Sequence, residues 1–385
     1  MTMTSRERFL AAVNHKEADQ IPSALGMEWA GRLHPTVYKQ LLAHIGIKEN
    51  SAISEIATLV NASPEVLEYL GADFRSIAAK FLPDPPGSPV AERSEDDENY
   101  YFLNPWGAKQ RMPKGHGLYF DTFYFPLQDA ETQEDDDKYV WAARSKVDPC
   151  SIEPAAKFQQ EGFATIFSGI YGYGFLQAGC HVYGFSNWLT MLASEPERVT
   201  TFNSRLLEKK FEWWSDKLDV LGDNIDVICE SDDLGTQHGP FVSERTWKEF
   251  ILPYKKEMFS FIKKKKPHVK ILLHTDGSFL PLIPDLIDIG LDIMNPVQYS
   301  ATGMDLVTLK REFGKDLTFW GGGVDVQSVL PNGTPQQVKD EVARNIDILR
   351  KDGGYVFSSC HNIQPDVPLE NFFALIEAFR ENCKY

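Results

Sequence analysis

Short β-rich runs alternate with longer helical patterns throughout the second half of the chain. The runs lie at 163–170, 225–231, 270–276, 291–296, 317–323 and 355–360, and a helical pattern follows each. β-Branched and aromatic residues over four to eight positions favour strands, whereas apolar residues three and four apart favour one face of a helix. The helix starts are marked: Ser243 precedes one, Thr334 with Pro335 opens another, and Pro368 begins the last. Gly290 and Gly314 end two more. Two further strands are expected upstream, at 20–26 and 72–79. Eight strands alternating with helices predict an α/β fold, a single (β/α)8 TIM barrel over 1–385. An open doubly wound sheet commonly carries a glycine-rich phosphate loop, and none follows the first strand. Residues 80–150 interrupt the pattern with prolines, acidic clusters and aromatics. They predict an irregular, lid-like insertion after the second strand, folded over one end of the barrel.

Composition narrows the function. A formal net charge of −16 disfavours nucleic acid and anionic membranes as partners, because both select clustered cations. The one dense basic run, Lys263 to Lys266, falls at the end of an expected helix, where it complements the dipole. Five scattered cysteines do not make a secreted disulfide framework, and neither a signal-peptide core nor an eighteen-residue apolar stretch is found. A cytoplasmic, soluble protein is expected.

In a (β/α)8 barrel the functional groups stand at the C-terminal ends of the strands. Glu230, Asp232 and Asp233 follow the fourth strand, and His274 and Asp276 end the fifth. Asn295 and Gln298 follow the sixth, Asp325 and Gln327 the seventh, and Cys360, His361, Asn362 and Gln364 the eighth. Strand side chains alternate faces, so His274 and Asp276 point the same way and Thr275 the other. His274, Asp276 and Cys360 offer nitrogen, oxygen and sulfur, a mixed donor set that suits zinc. Simpler readings stand beside these. Cys229 lies mid-strand and reads as core, Asp232 or Asp233 can cap the loop that follows, and Gly321 to Gly323 can serve close packing alone. Tyr171, Tyr173 and Phe175 are read as an aromatic wall facing substrate, with plain loop packing as the alternative.

The stretches SRERFLAAVNHKEADQIP, GADFR, HTDGSFLPLIPDLIDIGLDIMNPVQ, LKREFGKDLTFWGGGVDVQSVLPNGTP and HNIQPDVPLENF make the chain resemble the uroporphyrinogen decarboxylase superfamily. The resemblance covers nearly the whole length and is most specific in the C-terminal half. It implies a (β/α)8 barrel and two kinds of activity: decarboxylation, and zinc-dependent methyl transfer with a corrinoid protein. Decarboxylases of this kind carry an M-R-Q-A-G-R motif whose arginines hold a substrate with eight carboxylates. Here the nearest stretch is MEWAGR, in which Arg32 matches the second arginine and Glu28 replaces the first. A carboxylate facing a polyanion is unfavourable. His361 matches the histidine of the late G-H-G-I motif. The methyltransferase branch binds zinc through His-x-Cys and a distant Cys, and His274-x-Asp276 with Cys360 stand at comparable positions.

The resemblance therefore implies a methyltransferase moving a methyl group between a small methylated compound, such as a methoxylated aromatic, and a corrinoid. The corrinoid belongs on a separate partner protein, because the chain has no Asp-x-His-x-x-Gly motif. The metal set is His274, Asp276 and Cys360. Glu230, Asp233 and His361 are the candidate catalytic groups, Glu230 being also a replacement ligand. Arg32, Tyr171, Tyr173, Asn295, Gln298, Asp325 and Gln364 are the candidate substrate contacts. A metal-free decarboxylase and a tetrapyrrole-binding protein without turnover are the alternatives, and a homodimer is expected from the family.

Overall fold

The structure is a computed structural model that describes residues 2–27, 31–48, 58–169 and 171–385. In chain order the strands are β1 (Phe74–Ser76), β2 (Glu92–Glu95), β3 (Asn99–Leu103), β4 (Lys109–Pro113) and β5 (Asp121–Tyr124). There follow β6 (Ala164–Phe167), β7 (Val227–Ser231), β8 (Lys270–His274), β9 (Ile293–Asn295), β10 (Thr318–Trp320) and β11 (Tyr355–Val356). Strands β1 and β6 to β11 form one parallel sheet in sequence order, and β2 to β5 form a separate antiparallel sheet. The parallel strands fall inside the expected runs.

The expected first strand, 20–26, is cut to two isolated bridges, Ser23 with Phe357 in parallel and Gln20 with Lys384 in antiparallel sense. Its backbone bonds nevertheless reach both outer strands of the sheet. Ala24 N donates to Phe357 O, Phe357 N to Pro22 O, and Asp73 N to Ser23 O, each at 2.8 Å. Pro22 has no N–H to extend the ladder further.

Parallel order leaves two apolar faces to cover. One face packs Phe74, Ile166, Cys229, Leu272, Ile293, Trp320 and Val356 against each other, while residues of the opposite parity such as Ile228, Leu273, Met294 and Phe319 join the helices. The N-terminal ends of three strands repeat one device. Asp73, Asp226 and Asp292, each one residue before a strand, accept from the neighbouring backbone at Ser23 N (2.8 Å), Thr165 N (2.9 Å) and Ile271 N (2.8 Å). Arg8, Arg6 and Lys270 neutralise them. The run from Lys263 does more than complement a dipole: Lys265 and Lys266 pair with Asp219 and Asp223 of the neighbouring unit.

Part of the segment 80–150 departs from its expected irregularity, because β2 to β5 pair as an antiparallel sheet between β1 and β6, with a register shift between Lys109 and Gln110 where β4 meets β5. No helix among the described residues is long and apolar enough to cross a membrane.

Candidate functional site

The HTDG stretch explains its own geometry. Leu272 and His274 of β8 face the inner side and Leu273 the helices, so His274 ends the strand buried inside the sheet's mouth. Thr275 turns the other way and accepts from Leu234 N at 3.0 Å. Gly277 follows with φ 82°, and a Cβ there would come within 2.5 Å of the Gly235 backbone, so the turn admits only glycine. Gln298 Oε1 accepts from Gly277 N at 2.7 Å and holds the loop that carries Asp276.

Register places His274 beside Asn295 of β9. Asn295 Nδ2 donates to Trp320 O at 3.1 Å, which leaves its Oδ1 facing His274 Nδ1 at 2.7 Å. An acceptor there puts the imidazole proton on Nδ1 and makes Nε2 the nitrogen that carries the lone pair. Nε2 lies 3.9 Å from Asp276 Oδ2, and His361 Nε2 lies 3.7 Å from the same oxygen. The ligand atoms of His274, Asp276 and His361 all fall within 4.8 Å of one another.

These separations are too long for hydrogen bonds. They are near the ~3.4 Å expected between donors around a tetrahedral ion with bonds of about 2.0–2.2 Å. Two imidazole nitrogens and one carboxylate oxygen therefore fit a small divalent cation. Burial pulls the His361 pKa down, against the opposing pull of Asp276, and favours the neutral ring that can act as a ligand.

Cys360 is not the third member of the cluster. Its thiol donates to Val297 O at 3.3 Å, and burial pushes its pKa well up. His361 takes the place expected for it, while Cys360 stays in the wall of the same cavity.

The remaining candidates divide. Glu230 is excluded from the mouth: it faces the helix layer, where Lys210 Nζ (2.8 Å) and Trp214 Nε1 (2.6 Å) occupy its two oxygens. Asp232 pairs with Lys255 at 2.7 Å and caps the backbone at Leu176 and Gln177. Asp233 accepts from Asp276 N at 3.2 Å and from Gln177 Nε2 at 2.6 Å, and burial, with the Asp276 charge behind it, pushes its pKa up to about 6. Tyr171 is no substrate wall, because its hydroxyl donates to Ala142 O at 2.6 Å and its ring packs on Trp106 and Trp213. Phe175 is buried against Tyr254. Tyr173 stacks on His181 at 3.8 Å. Asn295 touches His274 rather than lining the cavity. Arg32 is largely buried, its pKa drawn down to about 10 by desolvation, and its carbonyl accepts from Ile363 N. Glu28 lies outside the described residues.

A cavity of about 390 Å³ opens beside the cluster, with Asp276, Gln298, Asp325, His361 and Gln364 in its wall. Asp325 Oδ1 is engaged by Gln327 N and Ser328 N, at 2.7 and 2.9 Å, and so shapes its own loop. Among the described residues no Lys or Arg lines this cavity. Tyr119, from the 80–150 segment, also enters the wall. It donates to Asn362 Oδ1 at 3.0 Å and receives from Gln364 Nε2 at 2.6 Å. Thr236, Gln237 and Ser300 complete the rim. Thr236, Gln237 and Ser300 carried no sequence signal, since small polar residues in loops have no periodicity to place them, and Tyr119 was one aromatic among many in the lid-like insertion.

The family model described as uroporphyrinogen decarboxylase (URO-D) matches residues 174–382. A uroporphyrinogen decarboxylase of Chlorobium limicola is 30% identical over 146 residues, which is 36% of this chain and 38% of that protein. One from Chlorobaculum parvum is 24% identical over 215 residues, 52% of this chain and 54% of the relative. The chain thus spans roughly two fifths to a half of the length of these curated relatives. A methyltransferase from Methanosarcina mazei has a similar fold, with a TM-score of 0.61 at 15% identity, covering 98% of this chain and 99% of that one.

Proposed function

The chain belongs to the uroporphyrinogen decarboxylase family, and from that premise we propose that it is a zinc-dependent methyltransferase acting with a corrinoid carried by a separate protein. The observation that carries this reading is the convergence of His274, Asp276 and His361 beside a cavity whose described wall residues include no Lys or Arg. We read the backbone bonds of 22–24 as the eighth stave of a closed barrel, which puts this cluster at its mouth.

His274, Asp276 and His361 would hold the zinc, and Asn295 keeps His274 in the tautomer that ligation needs. Zinc at this position supplies Lewis acidity to a heteroatom of the methyl donor or of a thiol acceptor. Gln298 holds the Asp276 loop through Gly277 N, so the carboxylate keeps its direction. Tyr119, Asn362 and Gln364 present a hydroxyl and two amides to a polar substrate group. Asp233 lies one hydrogen bond from Asp276 N and a second from Gln177 Nε2, which positions its carboxylate to exchange a proton with substrate beside the ligand loop.

Decarboxylation of uroporphyrinogen fits less well. Eight carboxylates would meet Asp276 and Asp325 and no compensating Lys or Arg among the described wall residues. A tetrapyrrole held without turnover meets the same obstacle, and a cavity of about 390 Å³ suits a smaller molecule.

Elemental analysis of the purified protein tests the proposal. About one zinc per chain is expected, lost in His274→Ala and in His361→Ala but kept in Cys360→Ala. Metal-free protein that still releases carbon dioxide from a porphyrinogen would overturn it.

A further inference from the structure

A second cavity, of about 300 Å³, has Asp233 in its wall, and Asp233 is one hydrogen bond from Asp276. Three phenylalanines of separate origin surround it. Phe125 comes from the 80–150 segment, Phe185 from the helix Phe185–Ser194, and Phe241 from the loop after β7. Phe185 and Phe241 meet edge to face at 5.3 Å, and Leu176 and Leu189 extend the apolar wall. Phe185 remains 47% exposed, so this aromatic surface is incompletely covered by the protein itself.

The polar groups in the wall are few and oriented. Asp233 Oδ2 accepts from Gln177 Nε2 and Oδ1 from Asp276 N, which fills two of the roughly four acceptor positions of a carboxylate. Gln177 Oε1 in turn receives Asp233 N at 3.4 Å, so that amide is already committed on both sides. His181, also in the wall, is held by stacking on Tyr173. Thr122, whose hydroxyl receives Gln110 Nε2 at 3.0 Å, and Cys180 are the other polar groups of the wall, and the carboxylate of Asp233 is its strongest acceptor, so this largely apolar, aromatic chamber selects a flat apolar ligand with a single hydrogen-bond donor. An anion would face Asp233, and a full cation would surrender its hydration to an apolar wall.

We propose that this cavity binds the ring of a small phenol, the ring between Phe125, Phe185 and Phe241 and the hydroxyl donating to Asp233. That such a ring is the body of the methyl donor rests on the methyl-transfer reading; the binding does not.

Calorimetric titration of the full-length protein with phenol, toluene, benzoate and benzylammonium tests the assignment. Phenol saturates a single site. Toluene binds at least about tenfold more weakly, as does phenol to Asp233→Asn, because each loses a hydrogen bond to a charged group. Leu189→Trp fills the cavity and abolishes binding. Phe185→Ala, at an exposed position that leaves folding intact, weakens binding at least about fivefold. His361→Ala keeps phenol binding while losing metal, which separates this site from the metal proposal. Phenol failing to saturate at millimolar concentration, benzoate or benzylammonium binding more tightly than phenol, or unchanged binding to Leu189→Trp and Phe185→Ala would each overturn it.

Discussion

Asn295 decides which nitrogen of His274 faces Asp276, and it does so through a bond to a backbone carbonyl of the neighbouring strand β10. A group that fixes a ligand's tautomer contributes to metal affinity without touching the metal. Asn295→Ala should therefore weaken zinc binding about 10–100-fold, measured by competition with a chelating dye, while the circular dichroism spectrum stays unchanged. The sequence placed Asn295 at the right rim but gave it a substrate contact, because only the register with β8 and β10 reveals its two partners. The exchange of Cys360 for His361 has a different cause. Alternation of faces holds only within a strand, and β11 ends at Val356, four residues before the thiol. Beyond that point neighbouring side chains have no fixed parity, so the sequence could name both residues and could not say which one turned toward His274.

At the scale of elements, β7 shows how a correct strand can still mislead. Val227 and Cys229 face inward and Ile228 and Glu230 outward, into the helix Pro196–Val220. A parallel strand buried on both faces reads as one apolar run, so its pattern does not tell the inner face from the outer. Glu230 is consequently a structural link between strand and helix. Glu230→Ala would leave Lys210 buried without its counter-charge and should destabilise the fold by about 3–5 kcal/mol in urea denaturation. Zinc content of the folded protein should not change. The expected helix signals were more dependable, because a cap is a local bond: Ser243 accepts from Thr246 N, and Thr334 forms a capping box with Gln337.

For the whole molecule, the consequential feature is the sheet β2 to β5, inserted between β1 and β6 and reaching the cavity through Tyr119. Its strands mix charged and aromatic residues, and β2 is exposed and β3 half-buried at every position, so these two lack the one-sided alternation that marks a half-buried sheet. Tyr119→Phe removes its bond to Asn362. Amide hydrogen exchange should quicken over 92–124 and stay unchanged in β6 to β9, with global stability altered by no more than about 1 kcal/mol.

The sequence alone determined the parallel α/β architecture and the helix starts at Ser243 and Thr334, since these rest on local periodicity and on bonds between residues close in the chain; it brought His274 and Asp276 together by closeness in the chain, although β8 stops at His274 and the Gly277 turn, held by Gln298, sets where Asp276 points. Tertiary structure alone decided that His361 joins them, that Glu230 faces away, and that Tyr119 arrives from a distant sheet. Those outcomes depend on strand register and on the path of loops, where contacts between remote residues outweigh any local preference.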